Sequence, residues 1–147
     1  MINYVCKYAP VELFKGFGQE CAVLEEMPEN FDKSDKIAHA NLCGFGKSVI
    51  QAVLDGKVDE LVLVNCCDSM RRVYDIIENT KKCKFLYMLD LPHEDNECEN
   101  IKFAQSIIRL KNAYERYSHR TFDRELFIKS FAKPESERKP YIGCLLY

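Results

Sequence analysis

Residues 61–89 read LVLVNCCDSMRRVYDIIENTKKCKFLYML, and the fold is decided there. Leu61-Val-Leu-Val64 is a continuous apolar, β-branched run, the pattern of a strand buried on both faces of a parallel sheet. Asp68 is a good N-cap for a helix over about 69–79, with Met70, Val73, Ile76 and Ile77 facing inward. Phe85-Leu-Tyr-Met-Leu89 is a second buried strand, closed by Pro92. A strand, a helix and a strand in so short a stretch predict parallel pairing through a crossover helix.

The same alternation extends in both directions. Toward the N-terminus, residues 2–6 are a short apolar opening, and Pro10 starts a helix with Val11, Leu13, Phe14 and Phe17 on its buried face. Gly18 stops that helix, and residues 20–25 read as a strand. Residues 27–40 carry Pro28, Asn30 and Asp32 and read as a loop. A helix over 44–55 follows, with Val49, Ala52 and Val53 at helical spacing and Gly56 at its end. Toward the C-terminus, a long amphipathic helix covers about 97–117. It offers two adjoining stripes, Ile101, Ala104 and Ile108 on one, and Phe103, Ile107, Leu110 and Tyr114 on the other. A shorter helix over 123–132 is broken by Pro134, and Tyr141 to Tyr147 reads as a strand. The expected fold is therefore α/β: a mainly parallel sheet flanked by helices in Rossmann-like or flavodoxin-like layering. The expected organisation is a single α/β domain over 1–147, the N-terminal domain of a larger subunit, with 140–147 as the first strand of a truncated second domain.

Bulk properties exclude several classes of function. A chain of 147 residues with 47% hydrophobic and 30% charged residues is ordinary for one globular domain. Its net charge of -2 gives no electrostatic case for nucleic acid or an anionic membrane as partner. No apolar run approaches the roughly 20 residues that span a bilayer, and no signal peptide is evident, so a cytoplasmic location is expected. In a reducing compartment eight cysteines point to metal binding or redox chemistry rather than a disulfide framework, although a cysteine is also a good inert hydrophobe.

Three of those cysteines stand where strands should give way to helices. Cys6 follows the opening segment, Cys43 begins the 44–55 helix, and Cys67 lies between the 61–64 strand and the helix after it. Parallel strands deliver their C-terminal ends to one sheet edge, so loops leaving them cluster there. A thiol at a helix N-terminus lies at the positive end of the dipole, which favours the metal-binding thiolate. Three converging thiolates can hold a [4Fe-4S] cluster and leave one iron open to substrate or another ligand. Adjacent side chains on extended backbone point to opposite faces, so Cys66 and Cys67 do not both serve. Cys67 is nearer the helix start and is preferred, with Cys66 as the fallback. Cys21, Cys83, Cys98 and Cys144 read as structural. No C-x-x-C occurs, and the wide spacings match no short zinc or ferredoxin signature; buried or idle thiols, or a Cys3His zinc site recruiting His39, stay open on spacing alone.

Two motifs mislead. Gly46-Lys47-Ser48 imitates the end of a phosphate-binding loop, but the motif requires glycine where Asn41 stands. The vicinal pair Cys66-Cys67 resembles a redox dithiol, yet adjacent cysteines form disulfides poorly. Arg71 and Arg72 read as a solvent-facing pair, or with one of them turned toward an anionic cluster or an acyl-CoA phosphate.

Four segments in order carry a resemblance. Cys6 with Tyr8, Pro10, Glu12, Leu13 and Gly18 resembles the opening segment of the 2-hydroxyacyl-CoA dehydratase component D family, the relatives of 2-hydroxyglutaryl-CoA dehydratase and benzoyl-CoA reductase. Asn41-Leu-Cys43-Gly-Phe-Gly-Lys47 is similar to its second cysteine segment, and Leu63 to Asp75 to its Cys-Asp-x-x-Arg-Arg segment. Leu89-Asp-Leu-Pro92 is similar to the strand-ending turn after it; beyond residue 93 the match is general helical character. The resemblance implies an iron–sulfur cluster held by cysteines, with Cys6, Cys43 and Cys67 as ligands here. It implies partners too: a homologous second dehydratase subunit, an ATP-dependent activator that injects one low-potential electron, and an acyl-CoA substrate losing water through a ketyl radical. No catalytic residue beyond the ligands is implied. Further cysteine and substrate contacts would come from a missing C-terminal domain, so activity of this polypeptide alone is not expected. The alternatives are a double-cubane-type reductase component, or a non-catalytic electron-transfer or assembly protein.

Overall fold

The computed structural model describes residues 1–25 and 27–131. Four strands form one sheet: β1 (Ile2–Tyr4), β2 (Cys21–Val23), β3 (Glu60–Val64) and β4 (Phe85–Leu89). Around them lie α1 (Val11–Lys15), α2 (Ser34–Ile37), α3 (Gly44–Leu54), α4 (Asp68–Thr80), α5 (Glu97–Ser118) and α6 (Arg124–Phe131). The strand order is β2-β1-β3-β4, and every pairing is parallel. Register runs from Glu60 opposite Phe85 to Val64 opposite Leu89, and β1 sets Tyr4 against Val62. This is the expected α/β architecture.

β3 shows why its sequence reads as a continuous apolar run. Side chains alternate between the two faces of a strand, so a strand covered on both sides needs apolar residues at every position. Val62 and Val64 enter a core with Leu13, Phe14, Leu110 and Tyr114 from α1 and α5. Leu61 and Leu63 enter a second core with Val49, Ile50 and Val53 of α3 and Met70, Val73 and Ile77 of α4. Tyr114 anchors the first core, meeting Phe14, Phe17 and Phe85 edge-on at ring-centroid distances of 5.1, 5.2 and 5.1 Å.

Several expectations are corrected in detail. The 27–40 stretch contains the short α2, which Gln51 ties down: its buried Oε1 accepts from the backbone N–H of Lys33 at 3.1 Å and Ser34 at 2.9 Å. That tether comes from a helix later in the chain and has no local signature. Asp68 is the first residue of α4 rather than its cap; Cys67 occupies the N-cap position with extended backbone, and no side chain caps the helix. On α5 the two stripes part company. Leu110 and Tyr114 are buried, whereas Ile101, Ala104 and Ile108 face outward. The span expected for 141–147, together with Cys144, lies outside the described residues.

Glycine is required by a turn at residue 56 and by a close approach at residue 46. Gly56 (φ 72°) ends α3, donating to the Val53 carbonyl while Lys57 donates to that of Ala52. At Gly46 the need is space: a Cβ there would lie 3.0 Å from Val73 Cγ2, 3.2 Å from Leu42 Cγ and 3.4 Å from Cys43 Sγ. The first turn of α3 therefore packs directly on α4 because residue 46 has no side chain.

Candidate functional site

The Gly46–Val73 contact ties together the two helices that carry exposed thiols. Cys43 is the N-cap of α3 and Cys67 the N-cap of α4, and the contact packs the first turn of α3 on the second turn of α4. Cys43 Sγ accepts a hydrogen bond from Gly46 N–H at 3.3 Å, which makes the sulfur itself the capping group. Both caps are exposed. They lie at the C-terminal edge of the sheet, where a crossover helix begins after its strand.

Cys6 reaches the same edge from β1. Extending the register of Tyr4 against Val62 sets Cys6 level with Val64, two residues before Cys66. The Cys6 thiol is 2% exposed and accepts a hydrogen bond from Cys66. That bond, helped by the Tyr8 backbone N–H and the Lys7 charge, pulls the Cys6 thiol down to about 6 from an ordinary 9.0, against the upward push of burial. Of the adjacent pair it is thus Cys66 that touches Cys6, while Cys67 stands at the helix start. The reason is the β1–β3 register, a long-range fact that spacing within one loop does not carry.

The other thiols differ in place and protonation. Cys21 opens β2 and Cys83 precedes β4, so both lie toward the opposite sheet edge. Burial pushes Cys21 up to about 12 and Cys83 up to about 11, which keeps both as neutral thiols. Cys83 donates to the carbonyls of Asp59 at 3.2 Å and Phe85 at 3.1 Å. These two fit the structural reading. Cys98 is exposed in the first turn of α5.

Asn65, between β3 and the two cysteines, was not singled out by sequence. Its backbone N–H donates to the Leu89 carbonyl at 2.8 Å, and its side-chain amide donates to Asp90 at 3.0 Å. Its amide oxygen accepts from Arg71 Nε. One residue thus clips together the ends of β3 and β4 and the first turn of α4, and so holds the Cys66–Cys67 turn in place. Arg71 serves this clip and sits 3.8 Å from Asp68, while Arg72 is 3.9 Å from Asp75; both arginines are exposed. An open cleft of about 620 Å³ lies alongside, lined by both arginines and by Asp68, Asp75 and Asp90. The phosphate-loop imitation is put to other uses: Lys47 pairs with Asp35 at 2.8 Å, and the buried Ser48 hydroxyl donates to the Gly44 carbonyl at 2.9 Å.

Among the described residues no three His, Cys, Asp or Glu side chains stand close enough to share a single ion. A lone tetrahedral zinc needs each sulfur about 2.3 Å from one centre. An iron–sulfur cluster asks less, since each thiolate binds a different iron. The donors suit that second requirement in kind: soft thiols at one sheet edge, two exposed at helix starts and one buried and held low in its titration.

Fold and rim together define a doubly wound parallel α/β domain that presents cysteines from three separate loops at the C-terminal edge of its sheet. By sequence comparison, residues 6–141 match the family described as 2-hydroxyglutaryl-CoA dehydratase, D-component, and the chain belongs to that family. The match runs well past residue 92, where the segment-by-segment resemblance stopped. Membership places the chain among 2-hydroxyacyl-CoA dehydratase-type components. Comparison with curated proteins finds no match. Among the described residues no helix is long and apolar enough to cross a membrane.

Proposed function

We propose that the chain is an iron–sulfur-binding component of a 2-hydroxyacyl-CoA dehydratase-type lyase, with Cys6, Cys43 and Cys67 as ligands. The observation that supports this reading is that Cys43 and Cys67 are the N-caps of two helices packed together at Gly46 and Val73, and that β1 leads Cys6 to the same sheet edge. A cluster held there would supply one low-potential electron for expulsion of water from a hydroxyacyl-CoA thioester. The chain's own residues do the holding. Cys6 is held below the ordinary thiol range by its hydrogen bond from Cys66, Cys43 is oriented by the Gly46 amide, and Asn65 with Arg71 fixes the turn that bears Cys66 and Cys67. Helix N-termini offset the negative charge that thiolate ligands bring. In this reading an ATP-dependent activator delivers the electron, and a homologous subunit completes the acyl-CoA site.

Anaerobic reconstitution with iron and sulfide tests the ligand set. Cys43→Ala and Cys67→Ala should each cut bound iron and visible absorption by more than half, while Cys21→Ala should leave both near the unmodified level. Iron content unchanged by the first two substitutions contradicts the assignment. A loss with Cys66→Ala and none with Cys67→Ala would transfer the third position to Cys66.

A further inference from the structure

The contact between Cys6 and Cys66 joins thiols 60 positions apart in sequence, and nothing in the proposed ligand set requires it. The two sulfurs differ in access. Cys6 is sealed at 2% exposure beneath the rim, and Cys66 is exposed upon it. Parallel register supports the meeting independently: Tyr4 pairs with Val62, which sets Cys6 level with Val64, and the Cys66 N–H turns back to the Val64 carbonyl at 2.7 Å, which keeps residue 66 close to the end of β3. A disulfide needs sulfurs brought to about 2.0 Å, and the pairing of β1 with β3 delivers these two thiols to the same sheet edge, where they can close. Cys66 and Cys67 meet no such condition, because adjacent cysteines in extended backbone diverge.

We propose that Cys6 and Cys66 form a reversible disulfide in the metal-free protein, a redox latch that withdraws Cys6 from the rim. The oxidant is a peroxide. It oxidises the exposed Cys66 thiol to a sulfenic acid and is itself reduced to the alcohol, or to water when the peroxide is hydrogen peroxide. The buried Cys6 sulfur then attacks the Cys66 sulfur; the S–S bond forms, the S–O bond breaks and water leaves. Two thiols are oxidised, two electrons pass to the peroxide, and a dithiol reductant reverses the change. The cross-link is independent of the iron reading; only its consequence, a rim that lacks Cys6 until reduced, rests on that reading.

The experiment uses the full, metal-free, reduced chain treated with a small excess of hydrogen peroxide, then alkylated, digested and mapped by mass spectrometry. The latch predicts one dominant cross-link joining the Cys6 and Cys66 peptides, removed by dithiothreitol. It should persist in Cys67→Ser and vanish in Cys66→Ser, where Cys6 remains a thiol. Cross-links that mainly join Cys43 to Cys67, or Cys66 to Cys67, would overturn it. So would over-oxidation of Cys66 with Cys6 untouched in the unmodified sequence, a result that depends on no variant folding. Iron uptake after oxidation should fall by at least half and recover on reduction. Reduced protein that binds no iron would instead contradict the iron reading and leave the cross-link map standing.

Discussion

A hydrogen bond between two thiols draws the Cys6 titration down. Cys66 donates to Cys6 and, over the opposition of burial, brings it from 9.0 to about 6. Removing the donor takes away the largest downward influence, so Cys66→Ala should raise the Cys6 titration, read by thiolate absorbance of the metal-free protein with Cys6→Ser as the blank. The sign for stability follows by linkage. A folded-state value below the unfolded one means that the unfolded chain binds more protons between the two, so stability rises with pH there. The contribution is complete above about pH 9 and is lost as pH falls through about 6. Denaturant midpoints at pH 6 and pH 9 should therefore differ more for the unmodified chain than for Cys66→Ala. Sequence marks Cys6, Cys43 and Cys67 because each borders a strand or helix end, which is local information. It does not reveal that Cys66 meets Cys6, since strand register is settled by partners 58 residues away, nor that Asn65 is a clip, since an asparagine before a helix is ordinary turn chemistry.

At the scale of elements, α3 and α4 owe their close approach to one missing side chain. Gly46→Leu has to force its way between Val73 and Leu42, and overpacking of this kind costs about 1–3 kcal/mol. Its thermal midpoint should fall, and a substitution that spreads the two helix starts should also lower iron retention; a variant as stable as the parent would contradict the packing argument. The long helix α5 offers a cleaner contrast. Leu110 is fully buried against the sheet, and Leu110→Ala should cost about 2–5 kcal/mol in denaturant unfolding. Ile108 is 55% exposed, and Ile108→Lys should change stability by no more than about 0.5 kcal/mol. The periodicity of α5 was legible, but its apolar arc is too wide to reveal which stripe faces the sheet. That choice belongs to Phe14, Phe17 and Phe85, which close around Tyr114. By contrast, β3 and β4 were readable almost to the residue, because burial on both faces leaves an uninterrupted apolar run.

Across the whole molecule, parallel pairing is what gives scattered cysteines a common address. Strands β1 and β3 run side by side, and the helices that precede and follow β3 start at one edge, so loops far apart in sequence end together. Strand alternation made the fold class and that edge predictable; the exact neighbours on the rim depended on register and on Gly46. The C-terminal helices are tied back to the N-terminal third. Phe122 packs over Gly16, where a Cβ would come within 2.4 Å of the ring, and the Asp123 N–H donates to the Gly16 carbonyl at 2.7 Å. Gly16→Val should therefore loosen α6 and speed amide exchange there, while β3 and β4 keep their protection. The account's central claim is that cysteines from three loops hold an iron–sulfur cluster at this edge. Its most direct test is the electron paramagnetic resonance spectrum of the anaerobically reconstituted, dithionite-reduced chain, with iron and acid-labile sulfide measured on the same sample. The account predicts a paramagnetic cluster signal with the two elements in matching amounts, abolished in the Cys43→Ala/Cys67→Ala double variant. Protein that retains neither iron nor sulfide, or gives the same signal with both cysteines replaced, would contradict it.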